Sequence, residues 1–397
     1  MSTFNGKRIY HLDLLRGFAV LGLLLMNLPG MGMPEIGYVR FEPDLLGDKI
    51  VAGLQALFFD GRFRNLFCLL FGIGLYLQYQ SYQRINFNSY IILKSRLNWL
   101  LVFGIIHCVF IWPGDILIFY ALTGMYLQSK LDWPAQKLIK RGLLFFTIGL
   151  VILCLEFGIS LYFEQEHLTR GSQDYLDSLA IINSSYWEIL IMNAILAFAY
   201  ILTFPILSLF YFSGIMLLAV GLFKSGKLQQ GFTKQECWLL ATITIALSAI
   251  DAYFAIFRPD IRQSVIGLIG SISGLSMALL IWHAVLKFKL AESQSWLSIC
   301  LQRTGRMAFT LYILQSLVMA GLFRYCFPQW NETFTLTDYT LVGVSFILFQ
   351  MLLANSYLAH FKQGPLEKLW RHLVNKTKAK QQDEQQSKQP EQLSAKA

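Results

Sequence analysis

Charge is what this sequence has least of. Of its 397 residues only 14% are Asp, Glu, Lys or Arg, against 55% hydrophobic and 15% aromatic, where a soluble domain carries roughly 25% charged residues. So few charges cannot cover that much apolar surface. That excludes a soluble enzyme, a nucleic-acid binder and a disordered scaffold. Cysteine is sparse and scattered: Cys68, Cys108, Cys154, Cys237, Cys300 and Cys326 form no C-x-x-C pair and sit in or beside apolar stretches. They read as packed small hydrophobes, which excludes a cysteine zinc site and a disulfide framework, and no metal ligand set is expected. No A-x-A cleavage site follows the first apolar run, and Asp13 and Arg16 interrupt it, so Lys7 and Arg8 head a retained span rather than a signal peptide. A long internal repeat of the kind that builds many transporters is missing too.

What is present is hydrophobic length. A helix needs about 20 apolar residues to cross a bilayer. Suitable stretches lie at roughly 12–33, 63–80, 97–112, 115–129, 141–163, 188–223, 237–257, 264–286, 306–327 and 339–360. The third and fourth are joined by Trp112-Pro113-Gly114-Asp115, a turn signal that predicts a helical hairpin. The sixth is too long for one straight span, and Pro205 in its middle predicts either a kinked helix or a surface-lying half before the span proper. With ten crossings, 24 of the 33 lysines and arginines fall on the side of the N-terminus and 8 on the other, with Arg16 inside the first span. The other side holds 14 of the 24 acidic residues. The positive-inside rule then places both termini in the cytoplasm, so the net charge of +9 is a topology signal. The expected fold is an all-α polytopic membrane bundle with residues 1–375 as one domain. A polar tail, 376–397, is expected to be disordered. Two amphipathic segments, 44–59 and 365–375, are expected along the membrane surface.

Ionisable groups at bilayer depth cost at least ~2.5 kcal/mol each on insertion scales, which makes each one a functional candidate. Asp13 and Arg16 share a face of the first span, and Asn27 returns to within about 20° of it; this is either a polar pathway or an interfacial ion pair with a snorkelling arginine. Arg62 and Arg64, on the side where basic residues are scarce, suit an anion clamp; otherwise they pair with Glu42, Asp44 and Asp48. His107 lies in the outer third of the third span and Asp115 opens the fourth, so the hairpin can bring a histidine to a carboxylate, the minimal apparatus of a general base. The alternative is a neutral histidine and an aspartate that merely caps its helix. Glu156, Asp251 and His283 are single buried-span groups with no partner readable from sequence. Asn183-Ser184-Ser185 and Asn331-Glu332-Thr333 fit the glycosylation sequon.

Five motifs recur in order: DLLRGFAVLGLLLMN (13–27), GRFRNLFCLLFGIG (61–74), RLNWLLVFGIIHCVFIWPGDILIFYALTG (96–124), GRMAFTLYILQS (305–316) and GPLEKLWR (364–371). Together they resemble the YeiB-like family of bacterial multi-pass membrane proteins, a domain-of-unknown-function family, over nearly the whole chain. More distantly the chain is similar to the transmembrane acyltransferase superfamily, which implies an acyl-CoA co-substrate with no bound cofactor, and an acceptor in or across the inner membrane. Two departures stand out: LFFDGRFRNLF lacks the histidine that the glucosaminide branch carries before the second span, and Leu311 stands where relatives tend to have Asn. The expectation is membrane acyl transfer with His107 as base and Asp115 orienting it. Arg62, Arg64, Asp13, Arg16, Asn27, Arg306 and Gln315 would contact a small-molecule or lipid-linked substrate within the lipid bilayer. The rival is a transporter or exporter of a small amphiphile through the same polar stripe.

Overall fold

The computed structural model describes residues 3–4, 7–33, 38–162 and 168–394. Apart from a two-residue strand pairing, Thr3–Phe4 with Lys7–Arg8, its regular structure is helical. In chain order the helices are α1 Tyr10–Asn27, α2 Leu46–Phe58, α3 Arg62–Arg84, α4 Ser89–Phe110, α5 Leu117–Gln128, α6 Ala135–Tyr162, α7 Gln173–Ile182, α8 Tyr186–Leu207 and α9 Leu209–Lys224. They continue as α10 Lys227–Gln230, α11 Lys234–Phe257, α12 Pro259–Lys287, α13 Trp296–Arg306, α14 Ala308–Gly321, α15 Trp330–Thr333, α16 Leu336–His360 and α17 Pro365–Ser394. Seven helical segments among the described residues are long and apolar enough to cross a bilayer: in α4, α6, α8, α11, α12, α14 with its π-helical extension to Cys326, and α16. Helices α5 and α9 are apolar but shorter. Helices α1 and α3 carry charged residues near their starts, Asp13 and Arg16 in one and Arg62 and Arg64 in the other.

Helix α1 is the axis of the bundle, with Leu12, Leu15, Ala19, Leu23 and Leu24 almost wholly buried. Its closest neighbour is α13, and two glycines explain why. A Cβ on Gly17 would stand 2.0 Å from the Leu301 carbonyl oxygen, and one on Gly305 would stand 1.8 Å from that of Asp13. Such backbone contact is the small-residue packing that membrane helices use where lipid supplies no hydrophobic drive. The first and fourth motifs therefore meet in space.

The end at which α1 starts is the near end, and its opposite the far end. The sixth stretch starts at the far end, where the Tyr186 hydroxyl donates to the Phe110 carbonyl. It finishes at the near end, where the Lys224 ammonium donates to the carbonyls of Leu131 and Trp133. It breaks at Ser208 into an exposed α8 and a buried α9. Helix α2 forms within 44–59 and leaves Leu46, Ile50, Leu54 and Phe58 exposed on one face. Helix α17 forms where 365–375 was expected to lie on the surface, but Trp370 and Val374 are buried against the bundle. It also runs on to Ser394, so the tail at 376–394, expected as disordered coil, is helical; its Lys, Gln and Glu are good helix formers. Ser95 Oγ lies 2.7 Å from Thr377 Oγ1 and holds the first part of it to α4.

Asn331 does not behave as a glycosylation acceptor. It is wholly buried, donates to the Phe323 carbonyl (2.9 Å) and accepts from the Tyr339 hydroxyl (3.2 Å). Beside it the Arg170 guanidinium is enclosed by the carbonyls of Val39, Asn331 and Phe334. This knot ties the loops at the far end together.

Candidate functional site

Two cavities open at opposite ends of α1. The near cavity, about 200 Å³, lies among α1, α3, α4, α5 and α14 and is roofed by α17. Arg16, Arg96, Arg306, Lys362 and Arg371 stand around it, with Asp13 and Glu367 as its acids. Asp13 is bonded to Arg16, Nη1 to Oδ1 at 3.1 Å, so the expected face-sharing pair forms. Glu367 is occupied as well: it accepts from the backbone N–H groups of Phe309 (2.8 Å) and Thr310 (3.2 Å) and from the Thr310 hydroxyl. It thereby caps the start of α14 from another helix, satisfying donors that a helix N-terminus leaves open. Arg96 lies 3.6 Å over the Trp370 ring, whose Nε1 donates to the Arg96 carbonyl at 3.1 Å. The mouth is thus cationic, with its two carboxylates already engaged. Deeper in, the lining turns apolar and aromatic: Leu23, Phe67, Phe71, Tyr120 and Tyr312.

The hairpin brings its two candidates together. His107 Nδ1 lies 2.8 Å from Asp115 Oδ1, and Asp115 Oδ2 accepts from the Ile118 N–H at 2.7 Å, capping α5. One carboxylate thus both pairs with the histidine and caps its helix. The pair is 1% and 4% exposed, and neither residue lines the near cavity. Tyr312 stands between them and it. Its ring is tilted on that of His107 at 5.1 Å between centroids, its hydroxyl accepts from the Ile116 N–H (3.3 Å), and it also lines the cavity. His107 Nε2 is buried and has no hydrogen-bond partner among the described residues.

The far cavity is larger, about 780 Å³, and Asn27 and Arg64 line it. The stripe on α1 thus feeds two spaces, Asp13 and Arg16 one and Asn27 the other. Leu23 lines the near cavity and Asn27 the far one on α1; Phe67 and Arg64 do the same on α3. Only about one helical turn, roughly 5 Å of axis, separates them.

Two expected contacts turn out otherwise. Arg62 lines neither cavity. It is fully buried, donates to Ser248 Oγ (2.6 Å) and to the Asp60 carbonyl, and lies 4.0 Å from Asp251. Arg262 bridges Asp251 (3.0 Å) and Asp60, so α3, α11 and α12 are locked by an ionic quartet. Spacing alone put Arg62 beside Arg64, but two residues of α3 turn about 200° around the helix axis and point them to different neighbours. Gln315 is likewise consumed: its amide donates to the Val20 carbonyl (3.0 Å) and to Gln350 Oε1 (2.9 Å), tying α14 to α1 and α16. Asp251 thereby acquires its partners. His283 Nδ1 accepts from the Phe232 N–H at 3.0 Å, a structural bond.

The sequence reading missed Arg96, Arg371 and Tyr312 as site residues. The first two were counted only as topology charges, and nothing in the sequence brings α4 beside α17. Tyr312 looked like one more aromatic in an apolar run.

Residues 219–377 match the family described as "Protein of unknown function (DUF418)". The chain is 28% identical to the uncharacterised protein YeiB of Escherichia coli K12 over 93% of this chain and 96% of YeiB. It is 25% identical to the uncharacterised protein YxaH of Bacillus subtilis 168, over 93% of this chain and 94% of YxaH. No solved structure matches. These likenesses bear out the YeiB-like resemblance carried by the five motifs, and the names of the family and of both relatives state no activity.

Proposed function

We propose that this multi-pass protein crosses the bacterial inner membrane ten times with both termini cytoplasmic, and transfers an acyl group from an acyl-CoA donor to an acceptor hydroxyl. The near end then faces the cytoplasm. One observation carries the reading: the near cavity is ringed by cations and lined beyond them by aromatic side chains, of which Tyr312 rests its ring on His107 of the His107–Asp115 pair. Arginines at the mouth suit the phosphates of the donor, which stay at the rim because about 200 Å³ holds only the thioester end. Asp115 fixes the proton on Nδ1, leaving the lone pair on Nε2. With Tyr312 turned aside, the acceptor oxygen attacks the thioester carbonyl and its proton passes to Nε2. The C–S bond breaks, and the leaving thiolate takes the proton from the imidazolium. Ester and free thiol result, and the histidine is regenerated.

The test is transfer of labelled acetyl from acetyl-CoA in purified membranes, comparing wild type with His107→Ala. Transfer unchanged in the variant removes the role given to His107.

A second reading has its own support. The thin septum between two opposed cavities that share α1 and α3 suits an exporter of a small amphiphile. Sealed vesicles that move such a solute without acyl transfer would favour it.

A further inference from the structure

The geometry points to a second binding site, in the far cavity, for the phosphate or carboxylate group of a polar ligand, with Arg64 as its anchor. Four cations line that space, Arg40, Lys49, Arg64 and Arg262, and three acids, Glu42, Asp44 and Asp60. The pairing is uneven. Asp44 serves Arg40 (3.3 Å) and Lys49 (3.8 Å), Asp60 serves Arg262, and Glu42 stands exposed with no ion pair among the described residues. Arg64 alone has no carboxylate within ion-pair distance among the described residues. Its Nε is buried with no hydrogen-bond partner among the described residues, and the guanidinium rests 5.6 Å over the Tyr211 ring. A half-buried guanidinium that faces a cavity with no carboxylate beside it is free to take a planar anionic group.

The surroundings favour a ligand over a stray ion. At about 780 Å³ the space is of the size that holds small organic molecules. Asn27 on α1 faces it with a side-chain amide that bonds nothing among the described residues, a neutral group suited to hydroxyls beside the anion. The positive end of α3 adds to the same field. Arg64 is held from behind as well: the Tyr120 hydroxyl donates to its carbonyl at 3.1 Å, and Tyr120 also lines the near cavity. The ligand class is therefore a small hydroxylated molecule bearing one phosphate or carboxylate, either a free solute or a lipid headgroup. This site does not depend on acyl-CoA occupying the near cavity.

The experiment uses the full chain, purified in detergent, carrying Arg96→Gln and Arg371→Gln so that the near cavity keeps only three of its five cations and competes less for anions. Inorganic phosphate is titrated and the thermal midpoint followed, with chloride at equal ionic strength as the control. A saturable rise with phosphate is expected. Adding Arg64→Gln should weaken the half-saturation at least tenfold. Asn27→Asp, which places a carboxylate in the cavity, should do the same while leaving the arginine intact. No saturable rise, an equal rise with chloride, or a response untouched by both changes overturns the proposal. Repeating the titration in phosphatidylcholine and phosphatidylglycerol nanodiscs separates the sources. A response blunted only by phosphatidylglycerol identifies a headgroup, and an equal response in both identifies a solute. Loss of acetyl-CoA binding on Arg96→Gln/Arg371→Gln concerns the near cavity alone, so the two readings fail separately.

Discussion

The ring of Tyr312 lies 5.1 Å from that of His107, centroid to centroid, and separates it from the near cavity. The contact joins a helix near the C-terminus to the α4–α5 hairpin.

His107→Gln should lower acetyl transfer by roughly 10²–10⁴-fold, the usual worth of a positioned general base, with the elution profile and helical circular dichroism unchanged. Tyr312→Phe keeps the ring over His107 and should retain most of the transfer. It loses the acceptor for Ile116 N–H, at a cost of about 1 kcal/mol, read as a small fall in thermal midpoint.

Asp115→Asn should cost both stability and activity. The amide still reaches toward the Ile118 N–H but presents the wrong partner to Nδ1. Loss of midpoint of about 1 kcal/mol is expected from the weakened cap, with transfer falling further than stability. Equal transfer in wild type and variant would show that the pair is purely structural.

Gly305→Ala and Gly17→Ala should both impair assembly, because their added methyls meet backbone oxygens at 1.8 and 2.0 Å that cannot turn away. Overpacking costs typically 1–3 kcal/mol, and rigid backbone places these changes at the upper end. Gly158→Ala and Gly321→Ala, with nothing within 4 Å of the new methyl, should leave the yield of folded protein in detergent unchanged.

Arg96→Gln and Arg371→Gln should each weaken coenzyme A binding by roughly tenfold or more, the scale of one charge-assisted bond, and reduce its salt dependence. Trp370 fluorescence reports the titration, since Arg96 lies on its ring.

Glu367, outside the spans, offers a pH test. Burial pushes its carboxyl above the ordinary value, against the opposing pull of its bonds from Thr310 and Phe309. A carboxyl raised in the folded state holds its proton more tightly there, so its contribution is complete below the unfolded value and is lost as pH rises through the folded one. Docking of α17 should loosen as pH climbs out of the ordinary glutamate range, seen as faster hydrogen exchange of its first turns. Glu367→Gln should flatten that profile.

Sequence by itself determined the medium, the helices and the hairpin. Those follow from composition, hydrophobic length and local turn chemistry, and the pairing of His107 with Asp115 needed only eight residues of chain. Gly17 and Gly305 were visible as motif glycines, but not as partners. Tertiary structure alone decided which polar side chains face a cavity. Arg62 and Arg64 stand two residues apart, yet one closes an ionic quartet with Asp251 and the other faces open space. Gln315 is spent on Gln350, and Arg96 meets Trp370 across most of the chain. A helix fixes the direction of a side chain relative to its own axis, but what stands in that direction depends on which other helix packs there. In lipid that choice is made by close backbone contact and hydrogen bonding between distant segments, which no local pattern records.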